Sequence, residues 1–429
     1  MLLSIAAVAL SCALLIVVAS LFHGFINAFE RSAVDAVGDV VIEPPGWIAE
    51  YPELIRQLEE LHPVEAATAT LSAQGLLHLG KGNVRAVEVW GIEPERRERV
   101  TGFKRSLLRA KDVPGGPSFK TEEAGTTGGF VGIGVVSKPD EQTDEYDFES
   151  AEKIIGNKVV LTTGTLTGGA GAEGKQFRRK TVEFTVLDVV FTGVYQFDKG
   201  YIYLPIEKLQ EVVSPEARQP IAGQIQIKLR SGADAESAMA QIRGVWRVFA
   251  SERLGWDEYQ IEGTRIETAI QMQSRFVAEF RKQMGVLLLI FGVVSLSAVL
   301  LVFCIFYMIV EARRRDVAVL KSCGAASDSV AMIFVGFGGC IGVIGAAVGT
   351  VLGYVVTKNI NAVEGWIRIL FGLKLWKASV YMFSRIPNEV DWQAVGWIVL
   401  SAIAGAAIGA AVPAISAAMT RPVNVLRYE

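Results

Sequence analysis

Cysteine is absent between Glu30 and Lys282, so neither a disulfide framework nor a thiolate metal site organises that stretch. The four cysteines of the chain, Cys12, Cys304, Cys323 and Cys340, all lie outside it. Histidine is scarcer still. His23, His62 and His78 are the whole complement, and none belongs to a His-Glu-x-x-His helix or a close cluster with acidic residues, which argues against metal catalysis. No Gly-x-Ser-x-Gly nucleophile elbow occurs. A dominant charge sign is missing too: the formal net charge is -3, and basic and aromatic residues do not interleave at any regular spacing. Nucleic acid is therefore not an expected partner.

Charge disappears altogether from four long stretches. Met1–Phe29, Gln283–Val310, Ser329–Thr357 and Trp392–Thr420 contain no Asp, Glu, Lys or Arg, and each exceeds the roughly 20 apolar residues that cross a bilayer as a helix. These are predicted membrane spans. Glu30 to Lys282 holds 31 of the 42 basic and 38 of the 45 acidic side chains, the mark of a large water-facing domain between the first and second spans. No ionisable residue sits at mid-membrane, where a proton- or ion-coupled transporter carries its relay. Energy for any transport must then come from a partner.

Arg313, Arg314, Arg315 and Lys321 crowd the short 311–328 turn between the second and third spans, and such an excess of basic residues marks the cytoplasmic side. Burying one of them at mid-membrane would cost about 2.5–3.5 kcal/mol, so Glu311 and Asp328 fix the register of the hairpin. Parity places 30–282 outside the cytoplasm and Met1 inside, and it returns Arg421 and Arg427 to the cytoplasm, where the same rule puts them. Met1–Phe29 reads as a retained span rather than a cleaved signal: it has no basic n-region, its apolar run is long, and Ala6, Ala7 and Ala9 lie too early for a cleavage site. The missing basic flank points to a short cytoplasmic lead ahead of Met1.

Within the outer domain, helical and strand periods alternate. Pro52 to Leu61 places Leu54, Ile55, Leu58 and Leu61 on one helical face. Strands are predicted at Gly129–Val136, Gly156–Leu161, Thr181–Val190, Tyr201–Leu204 and Gln224–Leu229, with helices at Pro205–Val212 and Ala233–Ile242. In Thr181–Val190, Val182, Phe184, Val186 and Asp188 face one way. The expectation is an α+β domain of two subdomains. Thr264–Lys282 has no breaker and repeats Ile266, Ile270, Met272, Phe276 and Phe280 at near-helical spacing, which predicts a helix running on into the second span, either a rod that carries movement or an amphipathic lead-in. Gly169–Gln176 falls one residue short of a phosphate-binding loop, and Gln176 cannot supply the hydroxyl that binds magnesium. It reads as a surface loop.

The third span is dense in glycine. Gly338 and Gly342, and Gly345, Gly349 and Gly353, recur at intervals of four and share helix faces where another helix can approach closely; Gly405 and Gly409 repeat the device in the fourth span. The reading is either a slideable interface within or between subunits or ordinary small-residue packing.

The segment Ala312 to Phe334 resembles the stretch after the second span in permease subunits of the FtsX/MacB-like ABC transporters, through Glu311, Arg313, Arg314, Arg315, Asp316, Val317, Val319, Leu320, Lys321, Gly324 and Ala325. The carboxyl end matches that family's ending at Pro413, Ala417, Pro422, Leu426, Arg427 and Glu429. The chain is most similar to the lipoprotein-releasing LolC/LolE branch, by Ile154–Gly164, by Val182–Val212 with its phrase Phe191 to Asp198, and by Ile386 to Trp392. The Gly/Thr-rich stretch Thr162–Gly174 departs from that branch.

This resemblance implies an α-helical membrane protein of the type VII ABC permease kind, with four transmembrane helices and a large extracytoplasmic MacB-like α+β domain between the first and second. The layout it implies is a first span at 1–29, the outer domain at 30–263, an extended helix and second span at 264–310, a cytoplasmic coupling turn at 311–328, a third span at 329–357, an outer loop at 358–391, a fourth span at 392–420 and a cytoplasmic tail at 421–429. The resemblance also implies a bacterial inner-membrane subunit with no catalytic, metal or cofactor site of its own. ATP and Mg would be used by cytoplasmic ABC ATPase subunits, and a second permease subunit would complete the complex within membrane lipid. Val317, Val319 and Leu320 would dock into an ATPase groove, flanked by Asp316, Lys321 and Gly324, while Arg313–Arg315 meet acidic rim groups or lipid head groups. The cargo implied is a lipoprotein passed to a periplasmic carrier. Efflux, and control of an external cell-wall hydrolase, are the alternatives.

Overall fold

The computed structural model describes residues 1–80, 82–121, 125–140, 146–167, 176–372, 374, 376–377, 383 and 385–419. Residues 169–175 of the Gly169–Gln176 loop, 168–174 of the Thr162–Gly174 stretch and the tail with Arg421 and Arg427 lie outside these. The chain forms two compact units, one of Met1–Ala28, Arg275–Gly372 and Ile386–Glu429, the other of Phe29–Ser274 and Leu373–Arg385.

The second unit is built on a mixed sheet of nine strands: β1 (Val40–Glu43), β2 (Val64–His78), β3 (Val84–Ile92), β4 (Gly128–Gly132), β5 (Lys158–Thr167), β6 (Gln176–Val190), β7 (Tyr201–Pro205), β8 (Gln224–Leu229) and β9 (Arg265–Thr268). Their order is β9-β1-β8-β2-β3-β7-β4-β6-β5, and β5 also pairs with β2. The sheet therefore bends round and closes on itself over six strands, while β8, β1 and β9 extend from the other end of β2. One long strand serves both halves: Val64–Thr70 pairs with β8, and Gly75–His78 pairs with β5. Gly75 makes the crossing possible, because a Cβ there would stand 2.7 Å from Leu161 Cδ1 and 3.0 Å from the Thr162 carbonyl.

Alternation puts Val182, Phe184 and Val186 of β6 in the core and leaves Glu183 exposed. Helices Tyr51–Glu59, Ile206–Val213 and Ala235–Glu252 cover the sheet with apolar faces. The last outruns its predicted end at Ile242, since Trp246, Phe249 and Ala250 continue the buried stripe. Asp234 caps its start by accepting from Ser237 N–H at 2.8 Å, satisfying an otherwise orphaned donor.

Two expectations for this unit change. The strand predicted at Gly129–Val136 stops at Gly132, and Ile133–Val136 is a helical turn. Its neighbour there is the short helix Tyr195–Gly200, which offers no strand edge to pair with. The helix predicted from Thr264 begins at Ala269. Arg265–Thr268 instead pairs antiparallel with β1, Ile42 opposite Ile266, and the buried Ile266 joins the core. Tertiary pairing overrides the local helical period there.

The first unit contains the membrane helices. Among the described residues four helices, Leu2–Val37, Val277–Ala312, Ser327–Lys358 and Trp392–Ala418, are long and apolar enough to span a bilayer; the second is the apolar part of one continuous helix, Ala269–Ala312. A short helix, Arg314–Ser322, follows the second span, and an amphipathic helix, Ile360–Phe371, follows the third.

Candidate functional site

The membrane glycines fall into two successive stretches along one face of the third span, because Gly338, Gly342, Gly345, Gly349 and Gly353 lie within about 80° of one another on the helix. A Cβ on Gly342 would stand 2.9 Å from Ile403 Cα, and Gly338 meets Ala406 and Ala410, so this pair lies against the fourth span. Gly345, Gly349 and Gly353 lie against the first: their Cβ positions fall 2.8 Å from Val8 Cβ, 2.6 Å from the Ala9 carbonyl and 3.0 Å from Ile16 Cβ. Gly405 and Gly409 receive the second span at Val299. Polar groups contribute sparingly, with Ser11 Oγ and Ser295 Oγ 2.7 Å apart between the first and second spans. Of the second span's apolar window only 6% is buried, against 28–44% in the others, so most of its surface is left for lipid or another chain.

The turn after the second span has an inner and an outer face. Val317 and Ala318 are buried, and Val317 packs with Val310, Val330 and Ala417 at the cytoplasmic ends of the spans. Lys321 Nζ donates to the Ala418 carbonyl at 2.6 Å, placing a cation on the last turn of the fourth span, where the helix dipole and an unpaired carbonyl favour it. Val319 and Leu320 are each 52% exposed. Sequence reasoning grouped Val317 with these two, but the structure separates them: Val319 lies two residues on from the buried Val317 and Leu320 two on from the buried Ala318, each about 200° round the helix from it. Arg313 and Arg314 make exposed ion pairs with Asp316 and Glu311, both at 2.9 Å. Such i,i+3 pairs contribute little to stability. Gly324 ends the helix with φ +99°, and its N–H and that of Ala325 donate to Lys321 and Leu320 carbonyls, a termination that glycine permits without strain.

At the opposite end of the bundle, the 386–392 phrase ties the first span to the fourth. Asp391 caps the fourth helix, accepting from Gln393 and Ala394 N–H at 3.0 Å each, and stands 3.6 Å from His23 Nδ1. Asn27 Nδ2 donates to Glu389 Oε2 at 3.2 Å.

Sequence reasoning missed two buried charges in the outer domain. Arg97, 3% exposed, donates from Nη1 to Gln226 Oε1 at 3.0 Å and from Nη2 to the Ala36 carbonyl at 2.9 Å, holding the carboxyl end of the first helix. Its guanidinium lies 4.8 Å from the centre of the Trp90 ring, and burial lowers its pKa to about 10, so it stays charged at neutral pH. Nothing in Pro94–Thr101 marks one of its three arginines as internal except that Arg97 and Val100 are three apart. Asp198 is 1% exposed; its Oδ1 accepts from Thr192 N–H at 2.6 Å and from Thr192 Oγ1 at 2.8 Å. Among the described residues no group of three or more His, Cys, Asp or Glu could hold a metal ion.

Comparison with known proteins covers nearly the whole chain. A MacB-like periplasmic core domain matches residues 1–245 and an FtsX-like permease C-terminal domain matches residues 288–423. The lipoprotein-releasing system transmembrane protein LolC of Neisseria meningitidis is 25% identical over 430 residues, an alignment covering 99% of this chain and 93% of that protein. The LolE protein of the same system in Haemophilus influenzae is 22% identical over 430 residues, covering 98% and 92%. Among solved structures, the periplasmic region of MacB from Actinobacillus actinomycetemcomitans aligns with 57% of this chain and 95% of its own, at 13% identity and a TM-score of 0.34.

Proposed function

The chain belongs to the FtsX/MacB-like superfamily of ABC-transporter permeases, and from that premise we propose that it is the membrane subunit of a complex that releases lipoproteins from the inner membrane to a periplasmic carrier. It is a non-catalytic permease subunit, a multi-pass inner-membrane protein with periplasmic loops. The observation that carries the lipoprotein reading is the end-to-end correspondence with LolC, which includes both the outer domain and the spans.

On this reading ATP and Mg belong to cytoplasmic ATPase subunits, and the 311–325 turn is where their closure enters this chain. Val319 and Leu320 form the docking patch, and Arg313–Arg315 meet acidic groups or lipid head groups at its rim. Val317 and Lys321 do a different job: they fasten the coupling helix to the ends of the second, third and fourth spans, so that a push on it reaches the bundle rather than bending a loop. The continuous helix Ala269–Ala312 would carry the stroke outward. The thinly packed second span offers its apolar flank to lipid or to a second permease subunit. Expelling a lipid anchor takes external energy, because each buried CH2 holds it by about 0.8 kcal/mol.

Affinity purification of the intact protein in mild detergent, with mass spectrometry of what accompanies it, tests the reading. An ABC ATPase together with acylated lipoproteins is the expected result. An ATPase with an efflux adaptor or a cell-wall hydrolase would overturn the cargo, and no ATPase at all would overturn the complex. In that assay the double variant Val319→Asp, Leu320→Asp should still insert, because both residues lie outside the span, but should lose most of its ATPase; normal ATPase recovery would sink the docking patch.

A further inference from the structure

The 191–198 phrase finds no role in docking or helix packing, yet it is built with unusual care for an external loop. Gly193 takes φ +76°. Asp198, buried, gathers the Thr192 N–H and hydroxyl onto one oxygen. The N–H groups of Phe197 and Asp198 both donate to the Val194 carbonyl at 3.0 Å, and Val194 N–H donates to Thr192 Oγ1 at 3.1 Å. The turn is wedged from behind as well. A Cβ on Gly132 would stand 2.8 Å from the Asp198 carbonyl, and one on Gly134 would stand 2.7 Å from Lys199 Cα, so only glycines let that backbone seat.

What the turn presents is Val194, which forms an antiparallel bridge with Phe383. Both residues are buried, at 7% and 9% exposed, and the Phe383 carbonyl accepts from Trp376 Nε1 at 2.9 Å. Phe383 belongs to Leu373–Arg385, the stretch between the third and fourth spans that clusters with the outer domain. The first and second spans enter the outer domain as continuous helices, Leu2–Val37 and Ala269–Ala312. The third and fourth are joined in the chain by the stretch that holds Phe383.

We propose that the 192–198 turn is a clasp that fastens the chain at Phe383 to the outer domain, with Asp198 as the positioning residue that keeps Val194 in register with Phe383. Through the clasp, a change of shape in the outer domain acts on the third and fourth spans as well as on the first two. Its role in transport rests on the permease reading above, but the contact itself does not.

Two measurements separate those levels. In the intact protein in nanodiscs, without ATPase or cargo, hydrogen exchange at Trp376 and Phe383 should quicken at least tenfold in Asp198→Ala, while Asp198→Asn, which keeps an accepting oxygen, should match the parent. Unchanged exchange in Asp198→Ala, or equal loosening of the whole outer domain, overturns the clasp. Should Asp198→Ala fail to fold, Val194→Cys with Phe383→Cys, in a background with the four native cysteines replaced by serine, decides: oxidation should join 194 to 383 within one chain, and no bond refutes the contact. Added to Asp198→Ala, the same cysteine pair should restore lipoprotein release when oxidised and lose it on reduction. Persistent failure with the bond formed removes Asp198 from the coupling path; a complex that forms the bond yet releases no lipoprotein in any variant, the parent included, overturns the transport reading and leaves the clasp.

Discussion

In the outer domain the largest fully buried side chains are Trp246, Phe184 and Phe249, and aliphatic residues fill the space between them. In the membrane unit the spans approach one another closely at residues with no side chain at all, Gly338, Gly342, Gly345, Gly349 and Gly409 among them. The contrast follows from the solvent. Water drives large apolar groups together by about 25 cal/mol per Å2 removed. Lipid gives no such drive, because a leucine is as well solvated by acyl chains as by a neighbouring helix, and association depends on close backbone approach and a few hydrogen bonds. The two units should therefore fail under opposite substitutions, adding atoms in one and removing them in the other.

The most damaging single change expected is Gly349→Leu. Its Cβ would lie 2.6 Å from the Ala9 carbonyl and 2.8 Å from Cys12 Cβ, so the first and third spans must separate along their whole contact. Purified protein should lose its cooperative thermal transition in detergent, while Gly339→Leu on the same helix, where a Cβ meets nothing within 4 Å, should behave as the parent. Equal behaviour of the two would mean that the glycine face is not a packing face.

The reverse change tests the outer domain. Trp246→Ala deletes the bulk that packs with Trp256 at a ring separation of 5.6 Å, and such truncations cost about 3–5 kcal/mol. Chemical denaturation followed by outer-domain fluorescence should show a midpoint loss of that order, with the membrane helices still assembled. A loss below about 1 kcal/mol, the scale of a surface substitution, would place Trp246 outside the core.

These two tests also mark what could be read from the sequence. The spans were legible because charge is excluded from lipid, and the glycines were legible as faces because their spacing of four is a helical repeat. Which neighbour each stretch meets was not, since Gly338 and Gly345, seven residues apart, point within about 20° of each other and yet meet the fourth span and the first respectively. In the outer domain, alternation gave the inward side of β6 even through Asp188, which is buried because it accepts Ala110 N–H at 2.8 Å. Arg97 and Asp198 stayed hidden because a charged residue inside a folded domain is justified only by partners distant in sequence or by a turn whose shape is set on folding. The coupling turn was recognisable by resemblance, but its two faces became distinct only with Val317 seated among Val310, Val330 and Ala417.

A carboxyl in the outer core adds a pH dependence to that unit. Burial pushes the Asp198 carboxyl up to about 7 against the lowering pull of the Thr192 hydrogen bonds. The folded state then holds the proton more tightly than the unfolded chain, whose carboxyl titrates near 3.9. Asp198 thus favours folding most below about pH 4, and that contribution declines as pH rises through about 7 and is flat above. Comparing the parent with Asp198→Asn from pH 5 to 8, the difference in outer-domain stability should shift in favour of the Asn variant by a few kcal/mol. A difference that stays constant with pH would mean that Asp198 is ionised throughout.

The smallest effect sought compares one hydrogen bond in each solvent. Ser11 and Ser295 face each other between spans at 2.7 Å, and Tyr51 donates to Glu93 Oε1 at 2.9 Å in the outer domain. A bond in lipid has no water competing for it, yet in the unfolded membrane state a serine hydroxyl bonds to its own helix carbonyls, as Ser295 Oγ already does to Phe291 at 2.9 Å. The coupling in a Ser11→Ala, Ser295→Ala double-mutant cycle should therefore be about 0.6 kcal/mol, below the roughly 1.5–3 kcal/mol expected for the charged acceptor in a Tyr51→Phe, Glu93→Gln cycle. A serine coupling above that of the tyrosine pair would show that a hydrogen bond between spans is worth more than one to a charged acceptor in the outer domain.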